Sequence, residues 1–229
     1  MLQDCVRSSG EYMYLEIGSH LGGTIQPHFI DPACKLIYSI DKRPESQPDE
    51  RGRSCHYTDN STERMLSNLS HAFPSIDKYK IVNFDNDASD LDPGEIIEKP
   101  TLCFIDGEHT NQAVFADFKF CLQVSHANAI IAFHDTCYIF KGIKTIKEYL
   151  SSHSIQFRGF MVGGSVYVIL LNEAINNYSD KIEPLAINES EYFRNAGKKL
   201  RKVRFKSGYP RLYRFLQMGK RILKSPTKR

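Results

Sequence analysis

Short apolar runs alternate with helix-patterned segments along most of this chain, and nearly every run stops on or beside a carboxylate. "YMYLEIG" (12–18), "KLIYSID" (35–41), "KIVNF" (80–84), "TLCFID" (101–106) and "AIIAFHD" (129–135) are apolar and of strand length. Between them lie patterns of helical period, such as the one that puts Val114, Phe115, Phe118, Cys121 and Leu122 on a single stripe. Strand and helix in alternation specify βαβ units, hence a doubly wound α/β fold around a mostly parallel sheet. "QFRGFMV" and "SVYVILLN", joined around Gly163-Gly164, read as a closing antiparallel hairpin.

In an open parallel sheet the carboxyl ends of the strands share one edge, and ligands bind there. Asp41, Asp106 and Asp135 end their strands, and Asp85 and Asp87 follow the third. Singly, each serves as an ordinary turn residue; as an ordered set, they converge on one crevice. Asp106 is followed by Gly107 and, three residues on, by His109. A buried carboxylate is costly unless paired or used, and an imidazole is suited to accept a proton near neutral pH. His134 stands directly before Asp135 and admits three readings. It is a base oriented by the acid, a metal ligand with Asp106 and Asp135, or part of a strand-end turn in which Asp135 caps the next helix.

"EIGSHLGG" (16–23) is a Gly-rich turn between a strand and a helix, containing Gly18, Ser19, Gly22 and Gly23. It departs from G-x-G-x-x-G but still lets a ligand approach the main chain closely. Asp41 follows Glu16 by 25 positions, where an acid closing the second strand can accept both hydroxyls of a ribose. Dinucleotide enzymes share that logic, so these residues alone leave the cofactor open. Elsewhere, Pro27 requires that its short helix be in its first turn there. Asn60 with Glu63 suggests a capping box for a helix through Phe73, and a further helix is expected around 142–151. Residues 43–59 are polar and irregular, as in a lid loop.

The four motifs taken together, "YLEIGSHLGGT", "IYSID", "FIDGEHTNQAVFADF" and "AIIAFHDT", resemble class I S-adenosylmethionine-dependent methyltransferases. They are similar to the branch with D-G-x-H and H-D segments, which includes macrocin-type sugar O-methyltransferases and, more distantly, catechol O-methyltransferase. The resemblance spans roughly 12–172. It implies a Rossmann-like, seven-stranded sheet with an antiparallel last strand, and S-adenosyl-L-methionine as cofactor. By the same resemblance Glu16 and the Gly18–Gly23 turn hold the cofactor's amino-acid end. Asp41 takes the ribose, Asp87 the adenine amino group, and Asp106 the sulfonium end. His109 occupies the general-base position, with His134 as the other candidate. Metal-dependent relatives carry paired acids, or an acid and an amide, where this chain has His134-Asp135. Asp106, His134 and Asp135 are therefore the candidate set for Mg²⁺ or another divalent metal, although imidazole suits Mg²⁺ poorly.

Charge divides the chain. Residues 198–229 hold 13 Lys and Arg and no acid, leaving 17 basic against 27 acidic residues in 1–197, a net of −10. We expect a methyltransferase domain over 1–175, a linker or helix over 176–197, and a basic amphipathic tail over 198–229. The stripe Leu212, Phe215, Leu216, Met218 and Ile222 suits an anionic membrane surface, a nucleic acid backbone or contact with another subunit. The acidic body disfavours nucleic acid. No G-x-S-x-G elbow, P-loop or H-E-x-x-H pattern is present, so hydrolase and P-loop chemistry lack support. Six cysteines without CxxC spacing, no signal-type N-terminus and no bilayer-length apolar run suggest a cytoplasmic protein. The expected reaction is methyl transfer to a hydroxyl of a small, sugar-like acceptor. The short lead before the first strand suggests that another subunit of a homo-oligomer covers the acceptor, or that the acceptor is large. The alternatives are an RNA- or membrane-associated methyltransferase and an inactive nucleotide-binding module.

Overall fold

A computed structural model describes residues 1–210, 212 and 213. Ten strands form among the described residues: β1 (Tyr12–Ile17), β2 (Cys34–Ile40), β3 (Ser46–Asp49), β4 (Arg53–His56), β5 (Ile81–Phe84), β6 (Leu102–Ile105), β7 (Ile130–Phe133), β8 (Phe157–Val162), β9 (Val166–Leu171) and β10 (Ala186–Ile187). The α-helices are α1 (Leu2–Arg7), α2 (Gln26–Phe29), α3 (Thr62–Ala72), α4 (Asn111–Val124), α5 (Thr136–Ser152), α6 (Ala174–Ile182) and α7 (Glu189–Gly208). Eight strands make one sheet in the order β10-β8-β9-β7-β6-β1-β2-β5. Pairing is parallel from β7 through β5, and antiparallel where β9, β8 and β10 are added. The order reverses between β1 and β6, so their carboxyl ends flank the switch point at which such sheets bind ligands.

The sheet is covered on both faces, which explains why its central strands read as continuous apolar runs. Along β7, Ile131 and Phe133 join the core beneath α4 and α5, while Ile130 and Ala132 join the opposite core with Met65 and Leu69 of α3. Each fully buried Ile or Phe side chain contributes roughly 1.5–3 kcal/mol. Helices α4 and α5 approach closely at Gly142. A Cβ there would meet Val114 Cγ1 at 2.4 Å, and Asn111 Oδ1 accepts from the Gly142 N–H at 2.7 Å.

Several local expectations are corrected by long-range contacts. The sheet has eight strands because β10, two residues long, pairs with the edge of β8. Residues 43–59 are largely a β-hairpin, β3 pairing with β4; Pro48 is tolerated because both strands of a two-stranded ribbon are edges. The cap of α3 is Ser61, whose Oγ accepts from the Arg64 N–H at 3.2 Å, while Asn60 is drawn away to Arg43. Helix α5 starts at Thr136, six residues before the expected position. On α4, Phe115 and Leu122 are only partly buried, and Asp117 joins the buried face instead.

Helix α7 runs without a break through 197 and 198. Its Phe193, Ala196 and Leu200 pack into the main core, the Phe193 ring tilted against those of Phe140 and Tyr167. Arg204 then pairs with Glu50 on the β3–β4 turn. The amphipathic stretch expected over 211–222 lies outside the described residues except at 212 and 213. No helix among the described residues is long and apolar enough to cross a membrane.

Candidate active site

Strand β1 ends in a turn that only glycine permits. Gly18 has φ +89°, and a Cβ there would lie 2.4 Å from the Asp106 carbonyl oxygen. The turns after β1 and β6 are thus in backbone contact, which brings the two halves of the site together. Behind this turn Glu16 is fully buried. It accepts from Tyr14 Oη at 2.8 Å and from Thr24 Oγ1. Burial pushes its pKa up to about 8 against the pull of those two donors. Ser19 is likewise internal, its Oγ 2.6 Å from Ser39 Oγ. Gly22 lies over α3, where a Cβ would press on Met65. Glu16, Ser19 and Gly22 therefore shape the turn from behind and Gly23 is exposed, whereas Gly18 lines the cleft.

Asp41 does reach the cleft. Its Oδ2 accepts from the His20 N–H at 2.8 Å and its Oδ1 from the Arg43 N–H at 2.8 Å, so it ties the Gly turn to the end of β2. From Asp41 the cleft extends two ways. One arm passes Lys42, Asp87, Gly107 and Glu108 to Asp117. Lys42 Nζ bridges Asp87 Oδ2 and Glu108 Oε2, each at 3.2 Å. Burial would raise the Asp87 pKa, but bonds from Ser89 and Lys42 hold it below the usual carboxylate value.

The other arm is a cavity of about 200 Å³ bounded by Asp106, His109, His134 and Asp135, with Tyr57 and Asn60 opposite. His134 Nδ1 is 3.0 Å from Asp106 Oδ1. This bond raises the His134 pKa, against the opposing effect of burial. His109 Nε2 lies 3.3 Å from Asp135 Oδ2 and 3.6 Å from Asp106 Oδ1, yet it is buried and completes no hydrogen bond. At 3.6 Å its influence on Asp106 is that of a nearby dipole or charge. Burial would raise the Asp106 pKa, but the two imidazoles hold it low. Asp135 is at the N-cap position of α5 in the left-handed region (φ 47°), with no side-chain capping bond. Such strain is held in place where surrounding structure over-determines it; here it turns the carboxylate toward the cavity instead of the helix. Among the described residues, no three His, Cys, Asp or Glu side chains stand ready as a metal site, and Asp106 Oδ1 is already engaged by His134.

Residues the sequence reading did not single out also line the cleft: Gln47 and Tyr57 from the hairpin, Lys42 and Glu108, and Asp117. Of these, Asp117 carried a local signal. It is an acid three residues past Val114 and four before Cys121, inside an apolar helical stripe.

A sheet of this order, with a glycine turn at the switch point and an acid closing the neighbouring strand, is that of a class I methyltransferase. The chain belongs to the methyltransferase-domain family, whose model matches residues 15–136. No curated protein matches the sequence. Among solved structures, the O-methyltransferase NovP superposes with a TM-score of 0.56 at 13% identity, over 74% of this chain and 75% of that one. TomG of Streptomyces achromogenes, an O-methyltransferase in tomaymycin synthesis solved with SAM, gives 0.52 at 14%, over 75% and 78%. An O-methyltransferase of Bacillus cereus solved with SAH gives 0.50 at 14%, over 75% and 79%. At these identities the likeness is one of fold.

Proposed function

We propose that the chain moves a methyl group from S-adenosylmethionine to a hydroxyl of a small, sugar- or glycoside-like acceptor, with His109 taking the hydroxyl proton. One observation carries the reading. The Gly18–Asp41 arm, suited to a nucleoside, opens into a cavity where Asp106, His109, His134 and Asp135 meet. In this reading Asp41 takes the ribose and Asp87 lies at the base end. Glu16 supports the amino-acid end through Thr24, and ionised Asp106 faces the sulfonium. The SAM- and SAH-bound neighbours of the same fold support this donor.

His109 is favoured as base because its Nε2 has no hydrogen-bond partner among the described residues and its ring borders the cavity. Asp135, 3.3 Å away, would then stabilise the imidazolium. His134 has its Nδ1 bound to Asp106 and serves to keep that carboxylate ionised and oriented. As the acceptor oxygen bonds to the methyl carbon, the carbon–sulfur bond breaks and the hydroxyl proton passes to His109. A base of this kind contributes on the order of 10² to 10⁴ in rate; alignment of oxygen and methyl contributes more. Tyr57 and Asn60 supply hydrogen-bonding groups suited to a hydroxylated acceptor. In this reading His134 holds Asp106 Oδ1, and no step is assigned to a metal.

Isothermal titration tests the reading. S-adenosylhomocysteine should bind the wild type and bind Asp41→Ala far more weakly. His109→Ala should bind it normally and lose turnover on a panel of hydroxylated acceptors. Absence of binding to the wild type would remove the proposal, and retained turnover would remove His109 as base.

A further inference from the structure

Asp117 is an anomaly in this fold. It sits on the core-facing side of α4 between Val114 and Phe118, and is only 6% exposed. Among the described residues nothing hydrogen-bonds to it, and its carboxyl is affected by burial and by nearby charges alone. Yet it lines the nucleoside arm of the cleft, on the floor beneath Asp87 and Gly107. Gly107 keeps the approach clear, since a Cβ there would come within 3.4 Å of Asp117 Oδ2. A carboxyl this far inside the fold is expensive to ionise, and its oxygens, open only to the cleft, can take a partner when a ligand arrives.

The neighbouring acid is already committed. Asp87 Oδ1 accepts from the Ser89 N–H and Oγ at 3.0 and 2.8 Å, and its Oδ2 faces Lys42. Asp41 is held by two backbone N–H groups. Of the carboxyls lining this arm, Asp117 is the one with both oxygens available.

Resting on the S-adenosylmethionine reading above, we propose that Asp117 reads the base, its protonated carboxyl pairing with two edge atoms of adenine. The carboxyl O–H donates to a ring nitrogen, and its carbonyl oxygen accepts from the exocyclic amino group. This is the donor–acceptor pair through which an Asn or Gln side chain recognises adenine, supplied here by a neutral acid. Burial makes it available near neutral pH, raising the Asp117 pKa to about 7; Asp87 and Glu108 add to the rise and Lys42 opposes it. Asp41 and the uncharged Gln47 complete the lining from the β2 and hairpin sides.

Binding that requires this proton should be constant below about pH 7 and weaken above it, by up to tenfold per pH unit. The test is titration of S-adenosylhomocysteine, and of its analogue with hydrogen in place of the 6-amino group, into wild type, Asp117→Asn and Asp117→Ala between pH 6 and 9. The wild type should bind the amino-bearing ligand at least tenfold more tightly and lose affinity above pH 7. Asp117→Asn, a permanent mimic of the neutral acid, should bind it with little pH dependence. Asp117→Ala should bind both ligands weakly and alike, with circular dichroism confirming its fold. A wild type that binds both ligands equally, or an Asp117→Asn variant that keeps the alkaline loss, overturns the assignment while leaving cofactor binding intact. Failure of the wild type to bind either ligand removes the underlying reading as well.

Discussion

The main-chain N–H of Glu50 donates to the carbonyl oxygen of His109 across 3.1 Å. This bond ties the β3–β4 hairpin to the loop that follows β6. Glu50 also accepts from the Asn111 N–H at 3.0 Å, at the start of α4, and pairs with Arg204 of α7. Three segments far apart in sequence thus meet on one side chain, beside the proposed base.

Glu50→Ala should lower kcat on the order of tenfold with S-adenosylhomocysteine affinity little changed, because a displaced base misaligns proton transfer. Arg204 is 45% exposed, so Arg204→Ala should reduce stability by less than about 1 kcal/mol. Steady-state kinetics with thermal melts check both. Unchanged kcat in Glu50→Ala would show that the hairpin contact does not position His109.

Asp106→Asn should lower the pKa of His134, since the Asp106 hydrogen bond is the largest influence raising it. A raised imidazole pKa stabilises the fold at low pH, and that contribution fades as pH rises through the folded value. The variant should therefore lose stability chiefly on the acidic side. An NMR titration of the His134 ring in both proteins measures the shift directly, and an unaltered value would contradict the pairing.

Glu16 should make the protein less stable as pH rises. Its pKa goes from an ordinary 4.5 to about 8 on folding, so the folded chain holds a proton that the unfolded chain releases. The sign is negative: the advantage is complete below about pH 4.5 and declines until about pH 8. Glu16→Gln, which imitates the neutral acid, should melt with a flatter pH profile and exceed the wild type at pH 8. Parallel profiles would show that Glu16 is ionised in the fold.

Chelation should leave turnover unaffected. The carboxylate that a divalent ion would need at Asp106 is engaged by His134 at 3.0 Å. Activity assayed with EDTA, and again after adding Mg²⁺, decides the point; a magnesium-dependent rate would make Asp106 and Asp135 ligands.

The alternation of the five parallel strands with helices, the closing hairpin, the glycine turn after β1 and the acids at 41, 106 and 135 were legible in the sequence. Each is a local property: apolar period, turn chemistry and the residue at a strand's end depend on neighbours a few positions away. Tertiary structure alone decided that residues 43–59 fold as a hairpin over the cleft, that α7 docks on the body and that Ser61, not Asn60, caps α3. It also decided the chemical state of the site. Burial in the sheet pushes the Glu16 carboxyl toward its neutral form against the hydrogen bonds from Thr24 and Tyr14, and Asp135 faces the cavity because its backbone is held left-handed. Asp117 has no hydrogen-bond partner among the described residues, while Lys42 bridges Asp87 and Glu108. Ionisation and hydrogen bonding depend on what the fold brings close, and those partners lie tens of residues apart.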